Sequence, residues 1–154
     1  MLSKVPRIER TQVVRASLND VVAVARDVES YPSFMPDVES VKILEKSEDG
    51  TLLKTQWVGT IKQFRLTIKW IQEERWDFGQ NRVSFRQIEG DYDRMEGWWE
   101  FRPHADGTEF VSSLDYEYRV PLLGALVTKV IHHLAQQNVE SVMTAIAERA
   151  ESRR

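Results

Sequence analysis

The feature that most limits what this chain can become is a hydrophobic period that holds at two over the middle of the sequence and changes once, near Pro121, to three and four. Period two puts alternate side chains on opposite faces of a strand, whereas a spacing of three and four draws one stripe along a helix. Val41 and Ile43 precede the turn-like SEDG, and Leu53, Thr55, Trp57, Gly59 and Ile61 follow it. Phe64, Leu66, Ile68 and Trp70 then point one way while Arg65, Thr67, Lys69 and Ile71 point the other. DFGQN, GDYD and HADG mark turns between three further strands. The same-face sets in the last two are Met95, Gly97, Trp99, Phe101 and Phe110, Ser112, Leu114, Tyr116, Tyr118. After Pro121 a final helix of about 28 residues carries two apolar rows. One is Leu126, Val130, Leu134, Asn138, Val142, Ile146, Ala150, and the other Val127, Ile131, Ala135, Val139, Met143, Ala147.

Ahead of the meander, RIERTQVVR reads as a first strand with no clearly apolar face. Ser17 and Asp20 form an N-terminal capping pattern for a helix whose stripe is Leu18, Val21, Val22, Ala25 and Val28. Pro32 and Pro36 push Tyr31 and Met35 out of helical geometry, so the helix cannot run on as one rod. The order is therefore strand, helical region, about six strands and a long helix, read as one α+β domain over 1–154. A meander of about seven strands cannot bury its apolar face alone, so a helix about 40 Å long is most simply laid across its concave side. A twisted sheet curls away from a straight rod, and the gap is filled by large side chains or by a guest.

The 154 residues hold no cysteine, which removes disulfides, cysteinyl metal sites and thiol chemistry and agrees with a reducing, cytoplasmic setting. A net charge of −3 with mixed signs leaves no basic stripe for a phosphate backbone, so nucleic acid is not an expected partner. No apolar run approaches the roughly 20 residues of a membrane-spanning helix. His132 and His133 fall off the apolar rows of the last helix and His104 lies in a turn, so all three read as solvated and neither a metal nor another cofactor is expected. Trp98 and Trp99 are adjacent and must face opposite ways, leaving Trp98 outside. There it is either a transient membrane-surface or partner contact or is covered by neighbouring arginines.

The segment DVESYPSFMPDVESVKIL, the later EGWWEF and LDYEY, and the helix ending AERA together resemble the START-like (SRPBCC) superfamily, with its helix-grip fold. The likeness is strongest to the branch of polyketide cyclases, dehydrases and coenzyme Q-binding proteins, and runs from about Ile8 to Ala150. It rests most on Asp27, Val28, Glu29, Tyr31, Pro32, Phe34 and Pro36. The resemblance implies an apolar pocket between the curved sheet and the terminal helix that carries or shields a lipid, quinone, isoprenoid or polyketide. Some members also catalyse, and the similar ribosome association toxins imply a ribosome- or protein-interaction module as a further alternative.

On that reading Trp57, Phe64, Leu66, Trp70, Phe85, Trp99 and Leu134 line the pocket or simply fill the core. Gln87 and Asn138 are amides on inward positions, and Tyr116 and Tyr118 offer hydroxyls; each meets a protein partner or reads a guest's polar atom. Tyr31, Phe34 and Met35 form a gate or a plug at one end of the core. Amides cannot act as general bases, so no catalytic residue is assigned and a binding role is expected over an enzymatic one. The enzymatic alternative is a polyketide cyclase or aromatase in which Tyr116, Tyr118 and Gln87 orient a folded chain.

Overall fold

The computed structural model describes residues 6–118 and 124–153, with side chains in the last helix from residue 129 onward. The chain runs β1 (Arg7–Val14), α1 (Leu18–Arg26), a 3-10 turn (Val28–Ser33), β2 (Val38–Lys46) and β3 (Leu52–Ile61). A second 3-10 turn (Lys62–Phe64) leads into β4 (Leu66–Asp77), β5 (Arg82–Gly90), β6 (Arg94–His104), β7 (Gly107–Glu117) and α2 (Gly124–Glu151). Seven strands form one antiparallel sheet in the order β1-β7-β6-β5-β4-β3-β2. The meander supplies every neighbour except the β1–β7 pair, and α1 with its following turn carries the chain from one sheet edge to the other. This is the helix-grip arrangement: a curved antiparallel sheet, a long C-terminal helix and short helices after the first strand.

Local chemistry explains the crossing segment. Ser17 Oγ accepts from the Asp20 amide at 3.2 Å, opening α1 as an N-cap does. Val21, Val24 and Ala25 are buried beneath it. Pro32 lies inside the 3-10 turn that follows. Asp27 accepts from the Ser30 hydroxyl at 2.6 Å, and Glu29 accepts from the Ile43 amide at 3.1 Å, pinning the turn to the edge strand β2. The acidic letters of DVES are thus brackets for a corner. Inside that corner Tyr31 is fully buried, and its hydroxyl donates to the Ala25 carbonyl at 2.5 Å.

Two expectations about the strands and the helix need correcting. Phe64 does not belong to a strand: it closes the Lys62–Phe64 turn, and Arg65 takes a left-handed φ of 51° before β4 begins at Leu66. A strand needs extended backbone, which that residue interrupts, but the alternation resumes in phase. On α2, Ile131, Met143, Ile146, Ala147 and Ala150 are buried, whereas Val130 is exposed. Pro121 and the side chains of Leu126 and Val127 lie outside the described residues. The nearest backbone neighbours of α2 are α1 and β1, and between the helix and the middle strands a space remains.

Candidate functional site

That space is a cavity of about 350 Å³. Trp57 on β3, Trp70 on β4, Phe85 on β5, Trp99 on β6 and Tyr116 on β7 form its floor, because each occupies an inward position of the two-residue repeat. Leu134, Ala135, Asn138, Val139 and Met143 of α2 form its roof, and Tyr31 with Val28 closes one end. Lys62, Gln63, Gln137 and Ser141 border the cavity and are also exposed, so its opening lies between the β3–β4 turn and the middle of α2. Lys62 Nζ stands 3.8 Å from Asp37 Oδ1 at that rim.

The expected site residues divide on this geometry. Trp57, Trp70, Phe85, Trp99, Tyr116, Tyr118, Leu134 and Asn138 all border the cavity, and so does Tyr31. Phe64, Leu66, Gln87, Phe34 and Met35 do not. Phe64 and Leu66 sit at the turn and at the very start of β4, short of the wall. Gln87 faces inward, but both ends of its amide are spent on Tyr92: Nε2 donates to the Tyr92 carbonyl at 2.9 Å and Oε1 accepts from the Tyr92 amide at 3.1 Å. It shapes the β5–β6 corner rather than the cavity. Phe34 packs edge-on to Tyr31 at 5.8 Å between centroids, and Met35 is buried in the core behind it. Trp98 is outside as expected, with the Arg82 guanidinium 4.3 Å above its ring.

Aromatic contacts make the wall continuous. Trp57 and Trp70 stack at 5.6 Å and 9°, Tyr31 meets Trp57 edge-on at 5.7 Å, and Tyr92 meets Trp70 edge-on at 5.4 Å. Phe85 meets Trp99 edge-on at 6.0 Å. Gly97 permits this, since a Cβ there would lie 2.9 Å from the Phe85 ring and closer still to the Ser113 carbonyl.

The wall also carries polar groups outside the expected set, Gln72 and Glu74. Glu74 is 4% exposed and borders the cavity, as does buried Gln72. Trp57 Nε1 donates to Thr55 Oγ1 at 2.8 Å, and the Thr55 hydroxyl donates to Glu74 Oε2 at 2.6 Å. In parallel, Trp70 Nε1 donates to Gln72 Oε1 at 2.8 Å, and Gln72 Nε2 donates to the same Glu74 oxygen at 3.1 Å. Burial raises the Glu74 carboxyl above its ordinary pKa, while the hydrogen bonds from Thr55 and Gln72 pull the other way. The two-residue period carried past Trp70 to Trp76 would have placed Gln72 and Glu74 inside.

His132 is the other correction. It is half-buried rather than fully solvated, because its ring stacks on Tyr116 at 5.8 Å and 13°, with Nδ1 2.6 Å from the Tyr116 hydroxyl. Its Nε2 lies 3.3 Å from the Gln136 amide. Burial pushes the Tyr116 hydroxyl up to about 12, and it raises Tyr118 as well.

Sequence and fold comparisons agree with this architecture. The protein TTHA0849 from Thermus thermophilus is 32% identical, with a TM-score of 0.87 over 96% of this chain and 98% of that one. A START superfamily protein from Mycobacterium smegmatis shares the fold at 22% identity and a TM-score of 0.80, covering 96% and 99% of the two chains. The ribosome association toxin RatA of Escherichia coli (strain K12) is 24% identical over 139 residues, 88% of this chain and 84% of the toxin. Residues 14–143 match the profile of one family, described as polyketide cyclase / dehydrase and lipid transport. The chain is therefore a member of the polyketide cyclase / dehydrase and lipid transport family.

Proposed function

We propose that this protein binds and carries a hydrophobic small molecule of lipid, quinone, isoprenoid or polyketide-like character, in the cytoplasm and without chemistry of its own. The observation that carries the reading is the cavity. The four inward tryptophans and their neighbours do not fill it, and about 350 Å³ remains beneath α2, walled mainly by aromatic and aliphatic side chains. Burying about 300 Å² of an apolar guest at about 25 cal/mol/Å² is worth roughly 7 kcal/mol before ordering costs, enough for micromolar binding to a preformed site. Native mass spectrometry of freshly purified protein, followed by organic extraction, tests it. A copurified apolar compound is the expected result; an empty protein whose melting temperature ignores a panel of lipids and quinones would sink the proposal.

A second reading has a specific observation behind it. Tyr116 borders the cavity with its hydroxyl 2.6 Å from His132 Nδ1, a pair able to pass a proton between a bound chain and a half-buried imidazole. This supports a cyclase or aromatase acting on a poly-β-keto chain, a role that the family description includes. Turnover of such a substrate, reduced at least tenfold in Tyr116→Phe, would favour catalysis over carriage. The toxin relative brings a ribosome-contact reading, and co-sedimentation with ribosomes at low salt addresses it.

A further inference from the structure

Glu74 is an unusual group for an apolar cavity. It is 4% exposed and meets no cation among the described residues. Both of its hydrogen bonds, from the Thr55 hydroxyl and the Gln72 amide, converge on Oε2, and among the described residues Oε1 has no partner. No side-chain oxygen or nitrogen among the described residues is both sealed off and unpartnered. Oε1 therefore keeps open surface, and the cavity that Glu74 borders supplies it.

The arrangement around Oε2 is directional. Trp57 points its N–H at Thr55 and Trp70 points its N–H at Gln72, so Thr55 and Gln72 are held as donors toward Glu74. A carboxyl whose one oxygen is saturated by two neutral donors, in a site with no counter-charge, is best accommodated as the neutral acid with its proton on the other oxygen. Burial favours the same form. A buried O–H without an acceptor is costly, and here the acceptor must come from whatever fills the cavity.

We propose that Glu74 is the polar anchor of the cavity, its Oε1 hydroxyl donating to a carbonyl oxygen of an uncharged, otherwise apolar guest held beside the Trp57–Trp70 stack. This rests on the reading of the cavity as a binding site and narrows it to carbonyl-bearing molecules. An amine guest would instead require the ionised carboxylate, together with desolvation of both charges in a wall of aromatic rings. The groups facing Glu74 leave its protonation to decide the matter. Thr55 on β3, Gln72 on β4 and Phe85 opposite it on β5 carry no charge. Tyr31, on the 3-10 turn, is held neutral by burial.

Methyl naphthyl ketone and ethylnaphthalene differ by one carbonyl oxygen and are matched in shape. Their affinities for the wild-type protein, Glu74→Gln and Glu74→Leu are compared by titration calorimetry, with naphthylethylamine as a third probe. The ratio of ketone to hydrocarbon affinity is expected to fall about tenfold in Glu74→Leu and to persist in Glu74→Gln, whose amide still donates. In the wild type the ratio should also fall as pH rises through the ionisation of Glu74, and stay flat with pH in Glu74→Gln. Equal ratios in all three proteins, a wild-type ratio insensitive to pH, or tighter binding of the amine than of the ketone would each overturn the anchor while leaving the cavity as a binding site. If the wild type binds none of the three, the binding reading falls with it. Should Glu74→Leu fail to fold, the pH dependence of the wild type against Glu74→Gln decides alone.

Discussion

Glu74 is the residue at which the alternation of β4 and the usual meaning of a charged letter disagree. In the run QEERWD three of the four central letters are charged, and charged residues on a strand ordinarily face water. The strand keeps its phase, so Gln72, Glu74 and Trp76 turn inward and Glu73 and Arg75 outward. The inward aromatics were legible because their chemistry agreed with their phase; Glu74 was not, because its chemistry opposed it. His132 escaped for a related reason, since a helical wheel gives its row but not the Tyr116 ring that covers it. Linkage makes the Glu74 environment measurable. Its folded-state pKa is raised by burial, so the folded chain holds that proton more tightly than the unfolded one. The resulting stability is fully present below the unfolded-state pKa of a glutamate and is lost as pH rises through the folded-state value. Glu74→Gln removes that loss. Urea denaturation of the two proteins across this window should therefore show the variant gaining on the wild type as pH increases, and parallel curves would mean that the carboxyl is not buried as described.

The meander was legible for most of its elements, because the strands kept their period and every turn but Lys62–Phe64 carried its own turn residues. What stayed hidden were the places where backbone departs from the ideal repeat. The Lys62–Phe64 turn looks like strand in letters, since Ile61, Phe64 and Leu66 suit either conformation and the left-handed Arg65 has no sequence signature. The register shift between Ile71 and Gln72 is likewise silent, and it leaves Ile88 without a counterpart in the β4 ladder. Gly97 shows the converse, a residue whose absence of side chain is used by two neighbouring strands. It lies opposite Phe85 on β5 and Leu114 on β7, and the space a Cβ would need is taken by the Phe85 ring and the Ser113 carbonyl. The carbonyl belongs to a ladder and cannot yield, so Phe85 would have to move into the cavity. Gly97→Ala is expected to destabilise the fold by about 1 to 3 kcal/mol, by the usual cost of overpacking. Chemical denaturation followed by tryptophan fluorescence measures it, and a loss below about 0.5 kcal/mol would show that β5 and β6 are not packed this tightly.

At the scale of the whole molecule the curved sheet and the straight helix are in tension, because complete contact between them would remove the cavity. The chain covers the C-terminal end of α2 well, through Met143, Ile146, Ala147 and Ala150, and leaves its middle over the void. A void forfeits the dispersion contacts its lining would otherwise make, so an empty protein is held below the stability its length would allow. Occupation and stability should then be coupled in both directions. A guest present at 100 times its Kd stabilises by about 2.7 kcal/mol, which for a domain of this size raises Tm by about 5 to 10 °C. Val139 lies on the roof of the cavity and packs against both clusters of the core, so Val139→Phe puts a ring where the guest would sit. The expected outcome is a guest-free variant at least as stable as the wild type, whose Tm no longer responds to a compound that shifts the wild type. Melting curves of both proteins with and without that compound make the comparison. A variant that loses stability and still responds would show that the space beneath α2 is not where the guest binds.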